Sequence, residues 1–192
     1  MRTTENDRTY GLVMTALVMC LIMVATFVIR IPIPMTQGYV HLGDAMIFVG
    51  VLILGRNKGA VAAGVGSALA DLIAGYAAFA PWTLLVKAAM GFVTGLVLER
   101  AQKKGRVTEE TEMKKAAPFM VGAMIAGGLV MCAGYYVVES FMYSSWVVAL
   151  ASIPANIGQF AVGTVLAMLL SSALYKTPAR KYFAIKTAKS EK

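Results

Sequence analysis

The sequence predicts an all-α integral membrane protein, a six-helix bundle with both its N-terminus and its C-terminus in the cytoplasm. The composition and the placement of basic residues predict this fold class. The 192 residues are 58% hydrophobic and 15% charged, with a mean hydropathy of +0.69, whereas soluble domains carry about 25% charged residues. This composition excludes a cytosolic enzyme with a polar shell, a secreted disulfide scaffold and a disordered chain.

Prolines and polar turns divide the apolar sequence into segments. Arg30 followed by Pro32 and Pro34 ends the first segment, and Pro154 begins the last one, because proline removes a backbone donor and biases the preceding residue to extended geometry. A span needs about 20 apolar residues. The predicted single membrane domain, residues 1–192, has spans at 10–29, 44–55, 59–79, 82–98, 116–138 and 154–175, a cytoplasmic loop at 99–115 and a basic tail at 176–192.

The positions of lysine and arginine predict the orientation. If the N-terminus is inside, all of the 18 basic residues except Arg30 and Lys87 fall in cytoplasmic segments. Cytoplasmic loops of membrane proteins carry such an excess of positive charge. The sequence therefore predicts a multi-pass protein of the bacterial plasma membrane. Its net charge of +8 reflects this orientation and contact with the lipid bilayer, and we expect no nucleic-acid partner.

Asp71 and Lys87 are the ionisable residues within the predicted third and fourth spans. Ionisable side chains inside a membrane are costly and usually face protein or a watery cavity. At 1.5 Å per residue, both lie roughly 10–14 Å below the turn that joins their helices. They are predicted to form a structural ion pair, and the alternative is that Lys87 contacts a ligand directly.

Polar and aromatic side chains collect toward the outer half of the bundle. Aromatic faces with a few amides and one charge suit a pocket for a small, flat, polar ring. Trp82 and Trp146 have an alternative place in the aromatic belt at the membrane interface. The predicted substrate-binding residues are Gln37, His41, Trp82, Lys87, Tyr135, Glu139, Trp146, Asn156 and Gln159.

Several chemical signatures are missing from the sequence. It has no GxxxxGK[ST] motif for nucleotide, no HExxH motif and a single histidine. We therefore expect no catalytic residues, no metal site and no bound cofactor, and the protein is predicted not to be an enzyme.

Three motifs occur in the order found in a known family. They are YVHLGD at residues 39–44, GSALADL at 66–72 and KAAMG at 87–91. With the proline-rich first outer loop, they resemble the substrate-binding S component of energy-coupling factor (ECF) vitamin transporters. The resemblance covers residues 12–175 and is strongest to the branch of riboflavin, hydroxymethylpyrimidine and pyridoxine S components.

The resemblance implies how such a protein works. It would bind a vitamin at the outer face, under the first outer loop, and associate with a transmembrane coupling subunit and two cytosolic ATPases. These partners would use the ATP. The small-residue motif that contacts the coupling subunit in the family maps to Ala16 and Cys20, with cysteine in place of the usual second alanine.

The sequence leaves open which ligand is bound and admits two other classes of protein. The modest set of polar residues favours a single ring of the pyridoxine or hydroxymethylpyrimidine type, with riboflavin as the alternative. Two other classes are a membrane-embedded enzyme, which would need clustered carboxylates at one membrane surface, and a standalone carrier.

Overall fold

A computed structural model describes residues 2–32, 39–108 and 111–185 of the chain. In the described residues, helices surround one core, and a two-stranded antiparallel hairpin lies near one end of the bundle. The elements are α1 Arg2–Val28, β1 Arg30–Pro32, β2 Tyr39–His41, α2 Gly43–Ile73, α3 Ala80–Lys103, α4 Met113–Met142, α5 Trp146–Leu150, α6 Ile153–Tyr175 and a 3-10 helix Pro178–Tyr182.

The described residues contain five helices long and apolar enough to cross a membrane, not the six spans that the sequence predicts. The difference arises at the predicted spans 44–55 and 59–79, which fall largely within the single helical element α2, while residues 74–79 form the turn before α3. Helices α3 and α4 extend beyond both ends of the predicted spans 82–98 and 116–138, and α6 begins one residue before the predicted 154. The orientation of the termini stays a prediction from the basic residues.

Helix α2 folds back on itself at Gly55. The backbone there leaves the helical region, with φ 76° and ψ −175°. A Cβ on Gly59 would lie 2.9 Å from the Cα of Val51, although these residues would be about 12 Å apart along a straight helix. The first arm, residues 43–54, is about 18 Å long, which is shorter than the roughly 30 Å hydrocarbon layer. The predicted second span is therefore only half of a helical hairpin.

The C-terminal segment completes this turn. The N–H of Ala184 donates to the carbonyl groups of Leu52 and Ile53 at 3.0 Å, and the N–H of Ile185 donates to Leu52 at 3.1 Å. The last carbonyls of a helix have no partner within the helix, so the tail supplies donors to the end of the first arm. The side chains of Phe183 and Ile185 are buried in the core.

Small residues allow α2 and α3 to approach closely. A Cβ on Gly91 would lie 3.2 Å from the Cα of Ala60, and one on Gly95 would lie 2.5 Å from the Cα of Arg56. In a membrane, close backbone approach supplies packing energy that the hydrophobic effect does not. This contact holds the second arm of α2, residues 56–73, beside α3.

We expect Gly55→Ala to destabilise the protein by about 1–3 kcal/mol, because its φ and ψ lie in a region that essentially only glycine adopts. The matched control is Gly122→Ala in α4, where an added Cβ meets no atom within 4 Å. Thermal midpoints in detergent micelles compare the two variants. Equal midpoints for both would contradict the sharp turn at Gly55.

Candidate binding site

A cavity lies where the hairpin meets the ends of α2, α3, α4 and α6. Its volume is about 420 Å³ when the space open to solvent is included. Aromatic and polar side chains line it. The lining residues are Tyr39, His41, Asp71, Tyr76, Phe79, Thr83, Tyr135, Glu139, Asn156 and Gln159.

The hairpin forms one wall of the cavity. Strands β1 and β2 pair with Arg30 opposite His41. The hydroxyl of Tyr39 donates to Oδ1 of Asp71 at 2.5 Å, and its ring lies 4.7 Å from that of Tyr76. Burial and the hydrogen bond to Asp71 raise the pKa of Tyr39 above its usual value. The phenol is therefore a neutral donor that ties the hairpin to the end of α2.

A buried ion pair lies behind the cavity, and it is not the predicted pair. Lys87 Nζ lies 2.5 Å from Oδ1 of Asp44, and both side chains are fully buried. The predicted partner, Asp71, instead accepts hydrogen bonds from Tyr39 and Thr83. The depth argument considered only Asp71. The predicted turn between spans 44–55 and 59–79 is present at Gly55, so Asp44 lies at the same end of the bundle and is the carboxylate that Lys87 contacts.

The ion pair continues into a chain of hydrogen bonds. Gln159 Nε2 donates to Oδ2 of Asp44 at 2.9 Å, and Gln159 Oε1 accepts from the backbone N–H of His41 at 3.0 Å. Lys87 also contacts the sulfur of Met131 at 2.9 Å. Side chains from α2, α3 and α6 thus hold the backbone of β2 in place.

His41 is neutral in this arrangement. Burial, together with the positive charge of Lys87, lowers its pKa to about 3, against the opposing effect of Asp44. Its Nδ1 accepts from the backbone N–H of Gly43 at 3.0 Å. The ring hydrogen therefore resides on Nε2, so His41 offers the cavity a neutral imidazole and not a cation.

The opposite wall carries a second polar group. The hydroxyl of Tyr135 donates to Thr83 Oγ1 at 3.1 Å, and Thr83 hydrogen-bonds Asp71. Glu139, one helical turn after Tyr135, is 3% exposed, and its Oε2 has no hydrogen-bond partner among the residues that the structure describes. Asn156, from the first turn of α6, is also buried and lines the cavity.

The cavity brings together five of the predicted binding residues: His41, Tyr135, Glu139, Asn156 and Gln159. Lys87 is buried behind them in the pair with Asp44. Trp82 and Trp146 are 46% and 53% exposed and do not line this cavity; Trp146 packs against the rings of Tyr136 and Phe141. Gln37 lies outside the described residues.

Sequence reasoning missed four lining residues, Tyr39, Tyr76, Phe79 and Thr83, and gave Asp71 only a structural role. Thr83 had a detectable signal, because it lies four residues before Lys87 and so shares its helix face. Trp82, one residue earlier, is exposed on another face. Tyr76 and Phe79 lie in the turn between α2 and α3, where no periodic pattern indicates direction.

Two further predictions concern metals and the first helix. The described residues contain no group of three or more His, Cys, Asp or Glu side chains that could hold a metal ion. Ala16 and Cys20 are exposed on α1, whereas Val18 and Ile22 pack into the core. The two small residues therefore lie on the outward face of α1.

Comparison with known proteins gives one family match and two relatives. The family model described as the S component of ECF-type riboflavin transporters matches residues 6–176. The thiamine precursor transporter HmpT of Lactococcus lactis is 28% identical over 178 residues, which are 92% of this chain and 95% of the relative. An uncharacterised protein of Pyrococcus woesei is 38% identical over 120 residues, covering 62% of this chain and 72% of the relative.

Removing Lys87 should strongly destabilise the protein. Lys87→Met leaves the Asp44 carboxylate buried without a cation, and we expect a loss of about 3–5 kcal/mol. Adding Asp44→Asn should recover part of this loss. The matched control is Arg56→Met, which removes a partly exposed pair with Glu99 at 3.3 Å and should cost less than about 1 kcal/mol.

Unfolding titrations in mixed micelles measure these differences. Two results would show that the buried pair does not stabilise the protein. One is a stability loss for Lys87→Met no larger than that for Arg56→Met. The other is a loss for the Lys87→Met, Asp44→Asn double variant equal to the sum of the losses for those two single substitutions.

Proposed function

The chain belongs to the family of S components of ECF-type riboflavin transporters, and from this premise we propose that it captures a small water-soluble vitamin or vitamin precursor for uptake. The ligand is of the hydroxymethylpyrimidine or pyridoxine type and binds at the outer face. The protein is a multi-pass protein of the cell membrane with helices long enough to span it.

The observation that carries this proposal is the cavity beneath the hairpin. Its walls combine the rings of Tyr39, Tyr76, Phe79 and Tyr135 with the polar groups of Glu139 and Asn156. Ligand sites typically combine apolar walls with a few placed polar groups. The lining offers only a few polar groups, a modest set that favours a single polar ring. A thiamine precursor is also what the relative from Lactococcus lactis is named for.

Riboflavin is the second candidate ligand, and the description of the family model favours it. A catalytic role has less support, since Asp44 is engaged by Lys87 and Gln159, and Asp71 by Tyr39.

The proposal includes partners that supply the energy. An S component of this family associates with a transmembrane coupling subunit and two cytosolic ATPases that hydrolyse ATP, and this chain itself needs no cofactor. The outward face of α1 offers Ala16 and Cys20, four residues apart and both exposed. Small residues at this spacing let two helix backbones approach closely in a membrane. We propose this face as the docking site for the coupling subunit.

Ligand binding tests the proposed function. The purified protein, without ATP, should show a raised thermal midpoint with one compound from a panel of water-soluble vitamins and precursors, and we expect a single-ring compound. Asn156→Ala should weaken that binding about tenfold, because a buried hydrogen bond to the ligand is lost. The control Asn57→Ala changes an exposed residue in the α2 turn. A panel in which nothing stabilises the protein would contradict the proposal.

Association with partners tests the docking face. In cells that also express the coupling subunit and the ATPases, we expect Ala16→Leu with Cys20→Leu to abolish co-purification, because larger side chains hold the helices apart. Ligand binding by the separate subunit should be retained. Ala89→Leu, at an exposed position of α3, is the matched control. Complex formation that survives the double substitution but fails with Ala89→Leu would place the docking site elsewhere.

A further inference from the structure

The charge of the cavity is unbalanced. Two carboxylates line it, Asp71 and Glu139, and none of its described lining residues is a lysine or an arginine. The nearest buried cation, Lys87, is paired with Asp44. His41 is neutral, because its pKa is lowered to about 3. Among the described residues, the lining therefore offers two carboxyl groups to a ligand and no basic side chain. The guanidinium of Arg30 lies outside the lining, 5.8 Å from the centre of the Tyr39 ring.

The two carboxylates differ in the hydrogen bonds that their oxygens accept. Asp71 accepts hydrogen bonds from Tyr39 and Thr83. Glu139 Oε2 is buried with no hydrogen-bond partner among the described residues, in a side chain that is 3% exposed. Buried polar atoms in folded proteins almost always have partners, and a carboxylate without one is especially costly. An open acceptor at a cavity wall is a site for a donor on a ligand.

The aromatic residues favour the same kind of ligand. The rings of Tyr39, Tyr76, Phe79 and Tyr135 line the cavity around the two carboxylates. An aromatic face attracts a cation, and the attraction strengthens when water is excluded. The walls can therefore stack on a flat ring and stabilise positive charge on it.

We propose that the cavity selects a nitrogen heterocycle that carries positive charge or N–H donors, with Glu139 as the residue that binds this nitrogen group and excludes anionic ligands. This inference rests on the proposed function and names the ligand chemistry of the same site. The charge-assisted hydrogen bond runs from the ligand N–H to Oε2 of Glu139. Phosphate esters and carboxylate-bearing vitamins are rejected, because they would add negative charge beside Asp71 and Glu139.

Two matched series of compounds test the selection. One contains 4-amino-5-hydroxymethyl-2-methylpyrimidine, the analogue with hydrogen in place of its amino group, and the phosphate ester of the amino compound. The other contains pyridoxamine, pyridoxine and pyridoxine phosphate. Isothermal titration calorimetry on the purified full-length protein should show at least about tenfold tighter binding of the amino compound in the series that binds. It should show no binding of the ester.

Glu139→Gln isolates the carboxylate while keeping the size of the side chain. We expect it to weaken binding of the amino compound about tenfold or more and to reduce the preference over the matched compound without the amino group to about threefold or less. Glu99→Gln, a partly exposed carboxylate in α3, should leave both values unchanged. Binding of the amino compound by Glu139→Gln at wild-type affinity would overturn the proposal, as would binding of the phosphate ester as tightly as its alcohol.

The thermal midpoint of Glu139→Gln without ligand shows whether the substitution affects ligand binding or the stability of the fold. Glu139→Gln should be at least as stable as the wild type, because it removes a buried charge with an open acceptor. A lower midpoint combined with lost binding would assign Glu139 a structural role and overturn the proposal. If riboflavin binds and neither series does, the ligand class is wrong and the transport function stands. If no compound binds, both fail.

Discussion

The buried ion pair between Lys87 and Asp44 is the interaction on which the cavity depends. Removing both charges from water costs several kcal/mol per ion, and only close contact with further hydrogen bonds offsets that cost. Here the contact is 2.5 Å, and Gln159 satisfies the second carboxylate oxygen. Gln159 in turn accepts from the backbone of His41. The pair thus joins α2, α3 and α6 and sets the position of β2.

The reversal of α2 at Gly55 allows Asp44 to reach Lys87. Asp44 begins the element and Asp71 lies near its end, so a straight helix would separate them by about 40 Å. Because the chain turns back at Gly55, both carboxylates come to the end of the bundle where the hairpin lies. One is then neutralised by Lys87, and the other anchors the hairpin through Tyr39. The same turn is completed by the backbone of Ala184 and Ile185.

The sequence allowed the class of fold and part of the site to be predicted, for identifiable physical reasons. Long apolar runs and polar turns indicate membrane helices directly, and Glu139, Asn156 and Gln159 stand out because polar side chains in such helices need partners. The partner of Lys87 could not be found this way. Depth along a helix does not distinguish Asp71 from Asp44 when one helix folds back on itself. The two tryptophans lie outside the cavity lining. Trp82 is next to Thr83, which lines the cavity, and one residue rotates a helical side chain by about 100°.

In the function proposed here, support and ligand recognition fall to different residues. Lys87, the most conspicuous charge in the sequence, is fully buried and occupied by Asp44, whereas the open acceptor at the cavity belongs to Glu139. An experimental structure of the ligand-bound protein tests this division most directly. The account predicts that the ligand lies among the aromatic walls with a donor against Glu139 Oε2, while Lys87 stays on Asp44. A ligand bound directly to Lys87, with the pair to Asp44 broken, would contradict it.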